Sequence, residues 1–592
     1  MQDVQFDKRK AKAVFLFLLI SFGFVIFIGA LIYWVKADRD LPGLKTSEKI
    51  SAIRGNILSA DGYTIATSKK LYTVRVDARS IDDKKIDAFA DLYSIYAKDN
   101  PKRIKKLIKK AKRSVVLSRK IDTNTAKQLR ELSRKLYMMK FFTAYEHPKT
   151  KKPIISGISI SENGEKRIYP NNDILSPFAG YISRGNDRKL RGEKGIENSY
   201  DYRLQPIQDA FLIGPKDTGR NVILNGDSKK NERIDGFDIV LSISVKLQKA
   251  IEKILDESKR ELRSKEIVAG IIQSNTGAIV SLATSNRFNP NHIRKKDYRR
   301  LNPSATEYSY EPGSVIKPIT LAILLREDKV NPYDLVNTHN GIYRLGKDII
   351  RDSHSYQYLS VEDIIVHSSN IGILQIAQKL KPLEYYQGLK DFGFASKTGI
   401  DLPYEHAGKI PSPKEFRSKS YKATASYGYS MQTTFIQILR AYNAFNYKGR
   451  LVTPYMGVYL IDDKGKKHYM EKPPETQVLP ISIAQRIKKI LIKTVKKGTG
   501  KRADVEGLEI GGKTGTAQIA KKGGYGNSYN SSFIGFANDE NNKFTVGVWV
   551  REPTKENYYY YGSKSAAPVF KKIVEEMVKE GYLTPKDTNQ SK

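Results

Sequence analysis

A run of 23 residues without a charged side chain, from Ala13 to Val35, constrains this chain more than any other feature. As a helix the run is about 34 Å long, against roughly 30 Å for the hydrocarbon core of a bilayer. A cleavable signal peptide is the alternative, because Val35 and Ala37 could form a small-residue cleavage site. Such a peptide has an apolar region of only about 7 to 15 residues. The run therefore predicts an uncleaved transmembrane helix over residues 13–35.

Basic residues are unevenly placed around this span. Lys36 and Arg39 follow it beside Asp38 and Asp40. Four basic residues precede it: Lys8, Arg9, Lys10 and Lys12. Because basic residues are retained on the cytoplasmic side, we expect residues 1–12 to be a cytoplasmic tail and the rest of the chain to be extracytoplasmic. No second apolar run of comparable length follows, so one crossing is predicted.

The charge balance narrows the classes of partner. The chain has 102 Lys and Arg and 63 Asp and Glu residues, a net charge of +39, which favours anionic partners. Nucleic acid is set aside as a partner, because the topology keeps the chain outside the cytoplasm and the densest basic run has no interleaved aromatic residues. With no cysteine, and seven histidines that lack ligand spacing, we expect neither a metal site nor a cofactor.

The 592 residues predict more than one domain. Residues 36–237 are mixed, with a strand expected at 71–76 and a helix at 86–97, and they carry no catalytic motif. Residues 102–113 hold eight basic side chains at helical spacing. This pattern predicts a basic amphipathic helix, for which a solvated face is favoured over a lipid or polymer contact.

The patterns that predict strands and helices become clearer after Phe237, where a second domain is predicted over residues 238–583. A strand is expected at 239–243, a helix at 246–262, and two short strands within 268–282 around Asn275, Thr276 and Gly277. The polar residues 584–592 have nothing to bury and are expected to form a flexible tail.

Ser314 and Lys317 form the one S-x-x-K in the chain, at the start of a predicted helix in which Pro318 suits the first turn. Residues three apart share a helix face, so Lys317 can reach the hydroxyl of Ser314. A serine needs such a neighbouring base to become a nucleophile. Lysine can be that base only if burial or a nearby cation lowers its pKa.

Two further sets of residues complete a pattern. Ser368, Ser369 and Asn370 lie in a predicted tight connection between a helix-like segment at 361–366 and an apolar segment at 371–380. Lys513, Thr514, Gly515 and Thr516 lie in a predicted strand, where Gly515 would let a ligand approach the backbone closely. Together these residues supply a nucleophile with its base, a proton relay and a cation with hydroxyls for a carboxylate.

In these three motifs the chain resembles the penicilloyl serine transferases, and within them a class B penicillin-binding protein. The resemblance covers nearly the whole extracytoplasmic chain. Its further matches are Arg54-Gly55-Asn56-Ile57, Arg167-Ile168-Tyr169-Pro170, Gly195-Ile196-Glu197, Tyr310-Glu311-Pro312-Gly313, Asp391-Phe392-Gly393-Phe394, Ser426-Tyr427-Gly428-Tyr429, Gly498-Thr499-Gly500 and Ala566-Ala567-Pro568-Val569-Phe570.

The resemblance implies an α+β chain: a non-catalytic pedestal followed by a transpeptidase domain with an antiparallel sheet flanked by helices. It implies that Ser314 attacks a D-alanyl-D-alanine stem peptide of peptidoglycan, that Lys317 takes the serine proton, and that Ser368 with Lys513 passes it to the leaving amine. Asn370 would orient the peptide amide.

The resemblance also assigns the substrate-binding groups. The hydroxyls of Thr514 and Thr516 would bind the terminal carboxylate, and the backbone amides of Ser314 and Thr516 would form the oxyanion hole. An amine from a neighbouring stem would then resolve the acyl-enzyme, and β-lactams would acylate the same serine.

The forms of the second and third motifs resemble the division-specific, septal type. This implies a single-pass protein of the bacterial cytoplasmic membrane that works with a SEDS-family glycan polymerase and other division proteins. The elongation-specific class B enzyme, a hydrolytic relative and a β-lactam-binding scaffold without turnover remain as alternatives.

Two other patterns are interpreted as decoys. Lys397, Thr398 and Gly399 form a second K-T-G, but nearby glycine and proline residues predict a loop. Residues 507–514 fit the phosphate-loop pattern, which requires a buried strand before it and a helix after it. The sequence predicts neither, so an ATPase is not expected.

Overall fold

The computed structural model describes residues 2–36, 45–146, 151, 153–186, 189–215, 226, 228–346, 348–521 and 524–586. The helices are α1 (Gln2–Lys36), α2 (Ile86–Ala97), α3 (Pro101–Lys110), α4 (Thr123–Met138), α5 (Ser176–Ala179), α6 (Gly195–Ser199), α7 (Asp201–Leu204), α8 (Val245–Glu261), α9 (Ser304–Glu307), α10 (Lys317–Arg326), α11 (Val361–Val366), α12 (Asn370–Ala377), α13 (Pro382–Asp391), α14 (Lys419–Ser426), α15 (Phe435–Asn446), α16 (Ile481–Lys497) and α17 (Ala566–Lys579).

The strands pair mainly antiparallel, so the chain is α+β as expected. They are β1 (Lys45–Ile50), β2 (Ile57–Leu58), β3 (Thr64–Asp77), β4 (Ser114–Ile121), β5 (Tyr145–Glu146), β6 (Pro153–Ile154), β7 (Ile158–Ile168), β8 (Ile182–Arg184), β9 (Leu190–Gly192), β10 (Ala210–Pro215), β11 (Lys229–Lys230), β12 (Asp238–Leu241), β13 (Glu266–Gln273), β14 (Ile279–Thr284), β15 (Ser309–Tyr310), β16 (Leu335–Asn337), β17 (Ile342–Leu345), β18 (Asp348–Arg351), β19 (Tyr358–Ser360), β20 (Thr433–Thr434), β21 (Arg450–Leu451), β22 (Gly457–Ile461), β23 (Lys467–Tyr469), β24 (Thr476–Gln477), β25 (Glu509–Lys521), β26 (Gly524–Asn538) and β27 (Lys543–Arg551).

A first compact unit contains α1 and the antiparallel strands β1, β10 and β11. Residues Lys10–Lys36 of α1 have a mean hydropathy of 2.9 and are exposed, so the helix is long and apolar enough to cross a membrane. Ala37 and Arg39, on which the cleavage alternative and the flanking-charge argument depend, lie outside the described residues.

The second compact unit contains the rest of the described chain, beginning with a pedestal built on β3. This strand pairs with both β4 and β7. Helices α2 and α4 pack against these strands around a buried cluster that includes Val74, Phe89 and Leu129. The helix predicted at 86–97 is confirmed, and the strand expected at 71–76 is the second half of the longer β3.

The basic helix predicted over 102–113 is shorter than expected, because α3 ends at Lys110. Ala111 has an extended backbone, and β4 begins three residues later at Ser114. Ile104 and Ile108 are buried in the pedestal core, while most of the lysines face solvent. This exposure fits both a solvated face and a lipid or polymer contact, so the solvated face stays a prediction.

One sheet crosses the predicted boundary between residues 237 and 238. Its strand order is β23-β22-β12-β2-β3-β4, and β12 pairs in parallel with β2 of the pedestal. Beside it, the carboxylate of Glu197 accepts from Arg54 and Arg167, and all three side chains are buried. The sheet and this ion-pair network join the sequence-distant parts of the pedestal. The boundary itself remains a prediction.

The C-terminal region is organised on an antiparallel sheet with the order β14-β13-β27-β26-β25. Ile267, Ala269 and Ile271 of β13 pack in the same cluster as residues of α8 and α17. Val268 and Ile272 belong to the cluster that includes residues of α10 and α15. Because side chains alternate along a strand, the sheet is covered by helices on both faces.

The elements predicted at the start of this region are confirmed. They are β12, α8, β13 and β14. The expected tail differs at its first residues, because the backbone amides of Thr584 and Lys586 donate to Asp539 and to Gly507 of the sheet region. Residues 587–592 lie outside the described part of the chain.

Candidate active site

Ser314 lies in a single 3₁₀ turn, Gly313–Ile316, that leads directly into α10. Helix α10 is almost completely buried, which fixes this turn in the core. The hydroxyl of Tyr442 donates to the carbonyl of Val315 at 2.6 Å. Gly428 must lack a side chain, since its Cβ would lie 2.1 Å from the carbonyl oxygen of Gly313. Ser314 itself is half-buried at the start of the helix, as predicted.

Lys317 is fully buried one turn after Ser314. Its Nζ donates to the carbonyl of Ser368 at 2.6 Å and to Oδ1 of Asn370 at 2.7 Å, and it lies 3.3 Å from the hydroxyl of Ser368. Burial lowers the pKa of Lys317 to about 7, although the nearby Asp352 opposes this shift. A lysine with such a pKa is partly neutral at physiological pH and can accept a proton.

The connection that carries Ser368 to Asn370 joins α11 to α12. Ser368 has a left-handed backbone, with φ of 61°, which turns the chain sharply between the two helices. Ser369 caps α12, because its hydroxyl accepts from the backbone amide of Gly372 at 2.8 Å. The side chains of Ser368 and Asn370 are thereby both within hydrogen-bonding distance of Lys317.

Lys513 lies on β25, which within the described part of the chain is the edge strand of the five-stranded sheet and pairs with β26. Its buried Nζ donates to the hydroxyl of Ser368 at 2.8 Å and to the carbonyl of Thr514 at 3.1 Å. Burial, with the neighbouring Lys317, lowers the pKa of Lys513 well below the usual lysine range. Two lysines from distant parts of the sequence therefore contact one serine hydroxyl.

Gly515 lets β25 lie directly against the turn that carries Ser314. A Cβ at this position would lie 2.3 Å from Oγ of Ser532 and 3.0 Å from Cγ1 of Val315. With a side chain at this position, the hydroxyl of Ser532 would have to rotate away, and the contacts with Val315 and with the carbonyl of Pro312, at 3.2 Å, would be tight. This close approach brings the third motif beside the first.

The two threonines after Lys513 are held by residues from other segments. Oγ1 of Thr514 lies 2.9 Å from Oγ1 of Thr499, and Oγ1 of Thr516 accepts from the backbone amide of Gly562 at 3.1 Å. Thr514 is largely buried and Thr516 is half-buried. Both hydroxyls thus have hydrogen-bond partners outside the third motif.

The sequence reasoning missed one charged residue at this site, Asp352. Its carboxylate accepts from the hydroxyl of Ser369 and from the backbone amides of Asn370 and Ile371. Asp352 belongs to none of the motifs and follows a short hairpin, so nothing in the local pattern marked it. Thr499 was noted only as part of the resemblance.

Neither pattern forms the kind of site for which it is a decoy. Lys397, Thr398 and Gly399 lie in a loop, where the backbone and hydroxyl of Thr398 donate to the carboxylate of Glu405. Lys513 and Thr514 lie inside a strand that continues to Lys521, whereas a phosphate loop would need a helix there.

The sequence matches two protein families over most of its length. Residues 267–575 match the family described as the penicillin binding protein transpeptidase domain. Residues 49–241 match the family described as the penicillin-binding protein dimerisation domain. The first family covers the three motifs, and the second covers most of the predicted pedestal.

Several curated proteins are similar to the chain. It is 30% identical over 550 residues to the Stage V sporulation protein D of Bacillus subtilis, which covers 90% of this chain and 79% of that protein. It is 30% identical over 387 residues to the probable peptidoglycan D,D-transpeptidase PenA of Neisseria flavescens, covering 65% of this chain and 93% of that protein. It is 27% identical to the peptidoglycan D,D-transpeptidase FtsI of Buchnera aphidicola, covering 90% of this chain and 88% of that protein.

Solved structures share the fold. Penicillin Binding Protein 2X from Streptococcus thermophilus has a TM-score of 0.74 at 21% identity, covering 92% of this chain and 83% of that one. A peptidoglycan synthetase from Bifidobacterium adolescentis has a TM-score of 0.68 at 19% identity, covering 92% of this chain and 98% of that one. The likeness to these structures concerns the fold, whereas the two family matches and the curated relatives identify the chain as a member of the penicillin-binding protein transpeptidase family, of class B.

Proposed function

We propose that this chain is a peptidoglycan D,D-transpeptidase that cross-links stem peptides through an acyl-serine at Ser314. The observation that carries the proposal is the convergence of Lys317 and Lys513 on the hydroxyl of Ser368. Lys317 lies one turn after Ser314. Buried amines with lowered pKa values are suited to move a proton between a serine and a leaving amine.

The reaction proceeds in two acyl transfers. Ser314 attacks the carbonyl of the penultimate D-alanine while Lys317 takes the proton of the Ser314 hydroxyl. The C–N bond then breaks, and Ser368, with Lys513 beside it, supplies a proton to the departing D-alanine amine. An amine of a neighbouring stem then attacks the acyl-serine and releases Ser314. Asn370 orients the peptide amide of the donor.

The terminal carboxylate of the donor is bound by the hydroxyls of Thr514 and Thr516. The backbone amides of Ser314 and Thr516 form the oxyanion hole, where fixed donors stabilise the charge that develops in the transition state. A β-lactam carries the same carbonyl and carboxylate and acylates Ser314 in place of the peptide. Gly515 keeps β25 close to the turn that carries Ser314.

An exchange assay tests the enzyme directly. Full-length protein in detergent micelles is given a D-alanyl-D-alanine stem peptide and a labelled D-amino acid as acceptor. We expect exchange of the terminal residue by the wild type and by Ser309→Ala, a serine outside the three motifs, but not by Ser314→Ala. Hydrolysis without exchange would identify a carboxypeptidase, and β-lactam labelling without either reaction would identify a scaffold.

For the cellular role we propose septal wall synthesis together with a SEDS-family glycan polymerase and other division proteins. The name of the FtsI relative and the forms of the second and third motifs support this role. Depletion of the chain in its own cells should then produce filaments. Rounded cells would indicate the elongation-specific alternative, and a defect limited to spores would indicate a role like that named for the Bacillus relative.

We propose that the chain is a single-pass protein of the bacterial cytoplasmic membrane, with residues 1–12 in the cytoplasm, a pedestal over 36–237 and a transpeptidase domain over 238–583 outside. The absence of cysteine makes this testable with single introduced thiols. In intact spheroplasts, an impermeant thiol reagent should label Tyr63→Cys and not Gln5→Cys. Labelling of the second variant alone would reverse the orientation.

A further inference from the structure

Asp352 occupies the N-terminus of α12, directly after the hairpin formed by β17 and β18. Its Oδ1 accepts from the backbone amide of Asn370 at 2.5 Å and from that of Ile371 at 3.1 Å. Its Oδ2 accepts from the hydroxyl of Ser369 at 2.5 Å. One half-buried carboxylate thus receives three donors from three consecutive residues.

These contacts satisfy groups that a helix start leaves without partners. The first amides of a helix have no acceptor within the helix, and a negative charge is stabilised there. Ser369 accepts from the amide of Gly372 and donates its own proton to Asp352, so the hydroxyl and the carboxylate together cap α12. The position of Asn370, the first residue of the helix, is therefore fixed by Asp352.

The orientation of the Asn370 side chain follows from the same segment. Its Nδ2 donates to the carbonyl of Arg351 at 3.3 Å, and its Oδ1 accepts from Lys317 at 2.7 Å. The opposite orientation of the amide would place two donors against each other at Lys317. Arg351 and Asp352 thus hold Asn370 from both ends, with its oxygen toward the buried lysine.

We infer that Asp352 is a positioning residue for acyl transfer, which holds the start of α12 so that Asn370 and Ser368 present their oxygens to Lys317. The inference rests on the proposed acylation of Ser314. Asp352 would not touch the substrate. It acts through the three residues of the second motif, and a displacement of about 1 Å at such a site can lower the rate on the order of 100-fold.

The charge of Asp352 gives this role a second signature. Among the described residues, the charged or titratable groups around Lys317 are Lys513 on β25 and Asp352 beside α12, while Ser368 and Asn370 are neutral. Burial lowers the pKa of Lys317, and the negative charge of Asp352 opposes that shift. Without the charge, the pKa of Lys317 falls further, so the lysine becomes a base at lower pH.

The test measures the acylation rate of full-length protein by a fluorescent penicillin between about pH 5 and 9. We expect Asp352→Asn to lower the plateau rate about 10- to 100-fold and to move the acidic limb of the pH profile to lower pH. Ser369→Ala keeps the carboxylate, so it should lower the plateau and leave the limb in place. Asp352→Glu keeps the charge and should also retain the limb.

The matched control is Asp363→Asn. Asp363 also accepts from a capping serine, Ser360, near the start of α11, but its charged partner is Lys493. This variant should keep both the rate and the limb of the wild type. An Asp352→Asn rate and limb equal to the wild type would overturn the inference.

A loss of rate in Asp352→Asn with an unmoved limb would also overturn the inference, because it would show only a weakened helix. If Asp352→Asn does not fold, as judged by its melting curve, Ser369→Ala and Asp352→Glu decide: wild-type rates in both would contradict the positioning role. Failure of the wild type to acylate at all would overturn the proposed function as well, and so is distinguishable from failure of this inference alone.

Discussion

Nζ of Lys513 lies 2.8 Å from the hydroxyl of Ser368, a residue whose backbone has a left-handed φ of 61°. The contact joins the edge strand of the sheet to the connection between two helices. Residues other than glycine seldom adopt this backbone conformation, and they do so mainly where the surrounding structure requires it. Here the strained backbone lets Lys317 contact the carbonyl and the hydroxyl of the same serine that Lys513 reaches.

Two substitutions of Ser368 should separate chemistry from backbone strain. Ser368→Ala and Ser368→Gly both remove the hydroxyl, so each should lower acylation by about 10²- to 10⁴-fold, the usual effect of losing a proton-transfer group. Only glycine relaxes the left-handed backbone, which costs other residues roughly 1–2 kcal/mol. Ser368→Gly should therefore melt at a higher temperature than Ser368→Ala. Equal acylation by the wild type and both variants would remove Ser368 from the proton relay.

The lowered pKa of Lys317 predicts the pH dependence of acylation. The wild-type rate should rise as the pH increases through about 7, because the lysine accepts a proton from Ser314 only in its neutral form. Lys317→Arg keeps a long cationic side chain but stays protonated at every accessible pH. Stopped-flow measurements with a fluorescent penicillin should find no recovery of this variant on the alkaline side. Recovery there would show that another group is the base.

A methyl group at Gly515 should be destabilising. In Gly515→Ala the new Cβ would lie 2.3 Å from Oγ of Ser532, which must rotate away, and 3.0 Å from Cγ1 of Val315 in the turn of Ser314. We expect a loss of about 1–3 kcal/mol in the free energy of unfolding, as for other overpacked sites, and strongly reduced acylation. Gly23→Ala, which meets no atom within 4 Å, is the control and should change neither. Denaturant titration and penicillin labelling measure both quantities.

The buried carboxylate of Glu197 should matter for stability rather than for chemistry. It accepts from Arg54 at 2.9 Å and from Arg167 at 2.7 Å, away from the lysine cluster. Glu197→Ala leaves two buried guanidinium groups without this partner, which should cost about 3–5 kcal/mol of the free energy of unfolding. Glu556→Ala breaks the exposed pair with Arg263 and should cost less than about 1 kcal/mol. Equal losses would contradict this account of the network.

The sequence was sufficient for elements whose local pattern and tertiary environment agree. The helix at Ile86–Ala97 has both its periodicity and its buried face, and it was predicted with the observed bounds. The strand β3 was underestimated, because its first half is polar and is held by pairing with β2 and β7 rather than by its own alternation. For α3, periodicity suggested three further residues, but the start of β4 required an extended backbone at Ala111.

The site residues also divide into those that the sequence predicted and those that only the structure shows. The motifs named the residues that the structure brings to one place, because the chemistry needs those side chains at short, fixed spacings. The spacing of residues within a motif does not predict contacts between distant parts of the sequence. Asp352 lies 18 residues before Asn370, on the far side of two intervening segments, and only the folded chain brings its carboxylate to the start of α12. Thr499 and Gly562 reach the threonines of the third motif in the same manner.

The identity of the acylated residue tests the central claim most directly. Full-length protein is incubated with benzylpenicillin, digested and analysed by peptide mass spectrometry, beside a Ser314→Ala variant shown to be folded by its melting curve. The account predicts a penicilloyl adduct on Ser314 in the wild type and no adduct in the variant. An adduct on a different residue, or equal labelling of both folded proteins, would contradict it.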